Sequence, residues 1–140
     1  MAKLRLKILT PNKTVFDDTV DMVVLTTTDG EMGVLPGHQA FSATLGYGAT
    51  KVYNDDNITP YAVFGGFASI TNEGVSIMAD IAESADEIDA ERAKQALERA
   101  ERRIKEKTSN WNEIRLKNAL AKAQVRLKIC EESIKTNKSS

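Results

Sequence analysis

The sequence predicts a β + α protein: an N-terminal β-sandwich over residues 1–85, followed by an antiparallel two-helix hairpin over residues 86–140. Two observations carry this. Short segments rich in β-branched and aromatic residues alternate polar and apolar positions through the first part, with turn-forming residues between them. All 8 glycines and all 3 prolines stand at or before Gly74, and beyond residue 84 apolar residues recur at helical spacing.

The first strand is read from Leu4, Leu6 and Ile8 alternating with Lys3, Arg5 and Lys7. Residues 21–28, 51–54, 58–64, 67–71 and 75–79 read as further strands. Asp29-Gly30, Pro36-Gly37, Asp55-Asp56-Asn57, Gly65-Gly66 and Asn72-Glu73-Gly74 read as the turns between them. Regular punctuation of this kind favours a sandwich or barrel. Ser84 to Glu87 has the S-x-x-E spacing of a capping box, in which hydroxyl and carboxylate satisfy free amides at a helix start. Asp89 is a second candidate cap.

Ala93, Ala96, Leu97, Ala100 and Ile104 then form one apolar stripe, mostly alanine, which lets a partner helix approach closely. Thr108-Ser109-Asn110 breaks the run, and Asn110 with Glu113 restarts it. A second helix is expected over residues 111–134, with Ile114, Leu116, Leu120, Ala123, Leu127 and Ile134 among its apolar positions. The polar tail beyond Ile134 is expected to fray. Two helices of about 20 residues, each roughly 30 Å long, have too little apolar surface to stand alone. The hairpin must lie on the β part, on another protein, or on each in turn.

Length and charge set further bounds. A chain of 140 residues is one domain, or a small domain with an appendage. It buries enough surface to fold without a staple. A single cysteine, Cys130, excludes an internal disulfide framework, and a single histidine, His38, leaves little for a metal cluster. No apolar run approaches the roughly 18 residues of a membrane span, and the first residues resemble neither a signal nor a transit segment. A soluble protein of a reducing compartment is expected.

The formal net charge of -1, from 19 Lys+Arg against 20 Asp+Glu, argues against attachment to DNA or membrane by bulk charge. Its distribution is uneven. Met1 to Glu91 holds 5 basic and 14 acidic residues, a formal -9, and Arg92 to Ser140 holds 14 basic and 6 acidic, a formal +8.

No catalytic constellation emerges. His38 sits in a Leu35-Pro36-Gly37-His38 turn without a nearby Ser or Cys nucleophile, which suits a loop or partner-contacting residue better than a catalyst. Cys130 reads as a small core hydrophobe on the packed side of the second helix. Gly46-Tyr47-Gly48 lacks the Gly-Lys-Ser/Thr ending and the following helix of a phosphate loop. Between Ile114 and Cys130 the second helix carries Arg115, Lys117, Lys122, Arg126 and Lys128 and no acid. Lys122 and Arg126 repel at i,i+4. Such a pattern is read either as a solvated face or as the docking surface of an acidic protein partner. Nucleic acid is disfavoured because Trp111 is the only aromatic residue of the tail. Asp89 and Arg92, with Arg99 two turns further on, read alone as an ordinary helix start.

Gly30-Glu31, Gly33-Val34-Leu35-Pro36-Gly37-His38, Gly65-Gly66-Phe67, Ala82-Glu83, Ile88-Asp89 and Arg92-Ala93 together closely resemble the epsilon subunit of F-type ATP synthases, over about residues 3–134. The resemblance implies a non-catalytic, peripheral subunit on the cytoplasmic face of a bacterial cell membrane. Its sandwich would bind the gamma subunit and the ring of c subunits, coupling proton flow to ATP synthesis. Its hairpin could fold down beside the sandwich or extend along gamma toward the catalytic head; extended, its basic second helix would restrain ATP hydrolysis by meeting an acidic segment of the beta (and alpha) subunits. Glu31, His38, Arg115, Lys117, Lys122, Arg126 and Lys128 are the subunit contacts it implies.

Some bacterial members also bind ATP as a regulatory ligand, through an I/L-D-x-x-R-A motif that Ile88, Asp89, Arg92 and Ala93 match. Glu83, Arg99 and Arg126 fall at matching positions. Ile88 and Asp89 would then lie at the adenine, with Arg99 and Arg126 toward the phosphates. Lys122 departs from the arginine of ATP-binding members and lacks its planar fork, which leaves ATP binding open. No metal is implied. The alternative to a stalk subunit is a free-standing β-sandwich adaptor whose basic hairpin binds another acidic protein.

Overall fold

Residues 3–37, 39–106 and 113–138 are described by the structure, a computed structural model. The chain divides into two units, Met1–Ser84 and Ala85–Ser140.

Eight strands build the first unit: β1 Leu4–Leu9, β2 Thr14–Val20, β3 Met22–Thr27, β4 Gly30–Val34, β5 Phe41–Thr44, β6 Tyr47–Asn54, β7 Asn57–Ile70 and β8 Gly74–Ser84. They follow the order β2-β1-β8-β7-β6-β3-β4, with β5 also on β7. Two long strands serve two layers. The first part of β7 pairs β6 (Tyr47↔Phe64 to Asn54↔Asn57) and its last residues pair β5 (Phe41↔Ile70 to Thr44↔Phe67). β8 pairs β7 antiparallel from Ile70↔Val75 to Tyr61↔Ser84, and its first residues also pair β1 in parallel. One layer is therefore β2-β1-β8-β7-β5 and the other β8-β7-β6-β3-β4. Strands that change sheet at a bend are one way a sandwich closes its corners.

That bend falls at Gly65 and Gly66, with φ of 75° and 109°. The Gly-Gly pair read from sequence as a turn between two strands instead lies inside one 14-residue strand. A side chain there has no room: a Cβ on Gly66 would run into the Met78 carbonyl oxygen and stand 2.8 Å from the Ala79 Cα.

The sequence reading missed β2, β4 and β5. β4 and β5 are short, carry Gly, Ser and Thr, and lie at sheet edges, so they show little apolar alternation. Where alternation is strong, burial follows it. Leu4, Leu6 and Ile8 are buried between exposed Lys3, Arg5 and Lys7, and they join Val23, Leu25, Val63, Ile70, Val75 and Ile77 in the core between the layers. Burying each such side chain contributes about 1.5–3 kcal/mol. Phe16 closes this core edge-on against Tyr61, with ring centroids 5.9 Å apart.

β8 runs to Ser84 rather than ending near Ala79, so the S-x-x-E segment starts on a strand. It leads into a 3-10 turn, Ala85–Glu87, and α1 begins only at Ala90, running to Glu106. α2 runs from Glu113 to Lys138, past the predicted end at Ile134. Thr108, Ser109, Asn110 and Trp111, His38, and the side chains of Glu113 and Ile134 lie outside the described residues. Among the described residues, no helix is long and apolar enough to cross a membrane.

Candidate functional site

The second unit carries most of the predicted site, and Asp89 fixes where its first helix starts. The Asp89 carboxylate accepts hydrogen bonds from the backbone N–H groups of Glu91 (3.0 Å) and Arg92 (3.2 Å), while its carbonyl accepts from Ala93 N–H (3.0 Å). Two orphan amides are thereby satisfied and a negative charge sits at the positive end of the helix. Of the two cap candidates, Asp89 is the one that opens α1. Ile88, half-buried, bonds back through its N–H to the Ala85 carbonyl and closes the 3-10 turn that packs on α2.

α1 and α2 pack along a seam of small residues. Ala93, Ala100 and Ala123 are buried, and Ala96, Leu97, Leu116, Leu120 and Leu127 half-buried. Ile114, predicted on this face, is 75% exposed, and Ile104 is 40% exposed. Ile114 precedes Leu116 by two residues, about 200° around the axis, so it points away from the seam. The half-buried Cys130 thiol is pushed above its ordinary value by burial first, then by the charges of Asp89 and Glu131. Asp89, at the start of α1, therefore lies beside the later part of α2. The helices run antiparallel.

That register sorts the charges. At about 100° per residue, Arg92, Arg99 and Arg103 share the flank of α1 that precedes the seam. Arg115, Lys122 and Arg126 share the flank of α2 that precedes its seam. In an antiparallel pair, these two flanks face the same side, as Asp89 and Cys130, each just short of its seam, also do. Arg92, Arg99, Arg103 and Arg115 are exposed, whereas Lys122 and Arg126 are half-buried and engaged in interactions. Lys117 and Lys128 lie on the opposite side, with Lys94, Glu101 and Lys105 of α1, all exposed.

The structure thus gathers Asp89, Arg92, Arg99, Lys122 and Arg126 on one side of the hairpin, with Ile88 in the turn beneath and Ala93 in the seam. It separates the five cations expected to meet one partner: Arg115, Lys122 and Arg126 face one way, Lys117 and Lys128 the other. Arg103 was missed by sequence reading; its signal is the four-residue step from Arg99. In the first unit, Glu31 is exposed on β4, opposite Thr26, and Glu83 is half-buried on β8, opposite Ala62. Among the described residues no group of His, Cys, Asp and Glu is arranged to hold a metal ion.

Comparison with known proteins gives this architecture its place. The family described as the beta-sandwich domain of the ATP synthase delta/epsilon chain matches residues 3–85, and its long alpha-helix domain matches residues 86–131. This chain belongs to the ATP synthase delta/epsilon family. The ATP synthase epsilon chain of Desulforamulus reducens is 43% identical over 132 residues, covering 94% of this chain and 100% of that protein. The epsilon chain of Staphylococcus haemolyticus is 45% identical over 133 residues, covering 94% and 98%. Among solved structures, a chain of the Euglena gracilis mitochondrial ATP synthase matches with a TM-score of 0.79 and 26% identity, covering 96% of this chain and 82% of that one. As a member of the epsilon-chain family, the protein is a non-catalytic stalk subunit rather than an enzyme. The free-standing adaptor reading has no observation left to favour it.

Proposed function

We propose that the sandwich of this epsilon chain docks on the gamma subunit and the c-ring, on the cytoplasmic face of a bacterial membrane, and that its hairpin restrains ATP hydrolysis. The alanine seam carries the regulatory part of this reading. Contacts of Ala93, Ala100 and Ala123 bury little apolar area per residue, so a few kcal/mol from a competing partner can shift the hairpin between arrangements. Cations on both sides of the folded hairpin suit acidic segments of beta and alpha subunits, met by one side at a time. Glu31 and His38 are the contacts proposed on the sandwich.

ATP is proposed as the ligand of the side holding Asp89, Arg92, Arg99, Lys122 and Arg126, with Ile88 and Ala93 beside it. Arginine and lysine there offer charge-assisted donors to phosphate oxygens. Lys122, a point charge without a fork, makes this grip weaker than an arginine would.

One reconstitution tests the whole. The complex depleted of its epsilon subunit is assembled with the full chain, or with a chain ending at residue 85, and ATP hydrolysis is measured. The full chain is expected to co-purify with gamma and slow hydrolysis, and the shortened chain to co-purify without slowing it. Failure of the full chain to associate with gamma would remove the docking, and equal hydrolysis with both chains would remove the regulation.

A further inference from the structure

Strand register lines up one row of side chains across the outer face of the layer β2-β1-β8-β7-β5. Thr44 of β5 is paired with Phe67 of β7, Phe67 with Met78 of β8, Met78 with Leu9 of β1, and Leu9 with Thr14 of β2. Met78 stands between buried Ile77 and Ala79, so its side chain points away from the core. Phe67 is 52% exposed and Met78 46%, with Leu9 half-buried beside them. The next row on this face is polar: Ser42, Ser69, Ser76, Lys7 and Asp17 follow one another in register. Exposed Asp80 follows Met78 on the other side. Met78 is therefore the middle of a short apolar row bounded by hydroxyls and charges. The other described methionines are less open. Met32 packs against the core, and Met22 is half-buried on β3, paired with Tyr53. Access decides which thioether an oxidant in solution meets first.

We propose that Met78 is a modification site for small hydroperoxides, and that its oxidation turns this row of the sandwich from apolar to polar. The sulfur lone pair attacks one peroxide oxygen, and the oxygen–oxygen bond breaks as the sulfur–oxygen bond forms. The proton of the attacked oxygen passes to the departing one, which leaves as water or an alcohol. The thioether gives up an electron pair and the peroxide takes it. A hydroperoxide is uncharged at neutral pH, so Asp80 does not repel it. The sulfoxide oxygen is a strong hydrogen-bond acceptor that the side chains of Phe67 and Leu9 cannot satisfy. At this exposure water satisfies it instead, so the surface changes while the core stays closed. A methionine sulfoxide reductase restores the thioether, which makes the change reversible.

Hydrogen peroxide added to the native full chain, followed by tryptic peptide mapping, tests this. Met78 is the only methionine of the tryptic peptide 52–92, whereas Met22 and Met32 share the peptide 14–51. Met78 is expected to gain oxygen several-fold faster than Met22 or Met32 in the native chain, and at the same rate in urea. Binding of a dye that reports apolar surface should fall on oxidation and recover after treatment with the reductase. Met78→Leu keeps the row apolar, so peroxide should leave its dye binding unchanged. Circular dichroism should show the strands kept throughout. Equal rates at the three methionines of the native chain overturn the proposal. So does dye binding that survives oxidation of Met78, or that falls equally in Met78→Leu. Loss of the strand signal on oxidation also overturns it, because the change would then be unfolding.

Discussion

Asp89 holds the start of α1 through two backbone amides and also lies close enough to Cys130 to act on its thiol. Asp89→Ala should therefore cost about 1 kcal/mol of hairpin stability by loss of the cap. Asp89→Asn should keep most of it, because an amide oxygen also accepts the two hydrogen bonds. Chemical denaturation followed by helix circular dichroism separates the two. The Cys130 thiol gives a second test. Its folded value is raised, so the stability it contributes is present below the ordinary value near 9.0 and is lost as pH rises through the folded value. The native chain should react with iodoacetamide more slowly than the unfolded chain at pH 8, and the helices should weaken above pH 9 in the native chain but not in Cys130→Ala. On the sandwich, Lys3 Nζ donates to Asn54 Oδ1 at 2.7 Å and lies within 4 Å of Asp21 and Asp55. These groups are substantially exposed, so Lys3→Ala should change stability by less than about 1 kcal/mol.

Among the elements, β7 depends most on one residue type. Gly66→Ala should destabilise the sandwich by more than about 2 kcal/mol, because it combines a left-handed backbone with a steric clash against β8. The melting temperature of the full chain checks this. In the hairpin, Ala100→Leu should overpack the seam and cost about 1–3 kcal/mol, read from helix signal while the strand signal holds. Legibility followed the same physics. β1 and the first helix were plain in the sequence because their apolar period survives into burial. Gly65-Gly66 was misread because a glycine pair signals a bend, and sequence does not say whether a bend ends a strand or lets it pass between sheets. The five cations of α2 were legible as charge but not as sides. Which way Lys117 faces depends on where the seam falls, and only the buried alanines of both helices fix that.

For the molecule as a whole, the first unit owns its core. Every residue of the main hydrophobic cluster lies between Leu4 and Ala82. The hairpin adds buried Ala93, Ala100 and Ala123 and one large buried side chain, Ile129. Differential scanning calorimetry of the full chain should accordingly show two transitions, the helical one lower and more sensitive to salt. A single transition carrying both the strand and the helix signals would contradict this. The near-zero net charge has the same two-part origin, -9 up to Glu91 and +8 from Arg92 on.

β8 also has a mechanical meaning. It is hydrogen-bonded to β7 along nearly its whole length and to β1 along its first residues, and it leads without a loop into the turn before α1. A pull on the helices, such as the drag of a turning shaft, enters the sandwich along the axis of β8. Its hydrogen bonds to two neighbours lie across that direction and are loaded together in shear, not peeled one after another. The strand that leads into the hairpin is the one best placed to bear such a load.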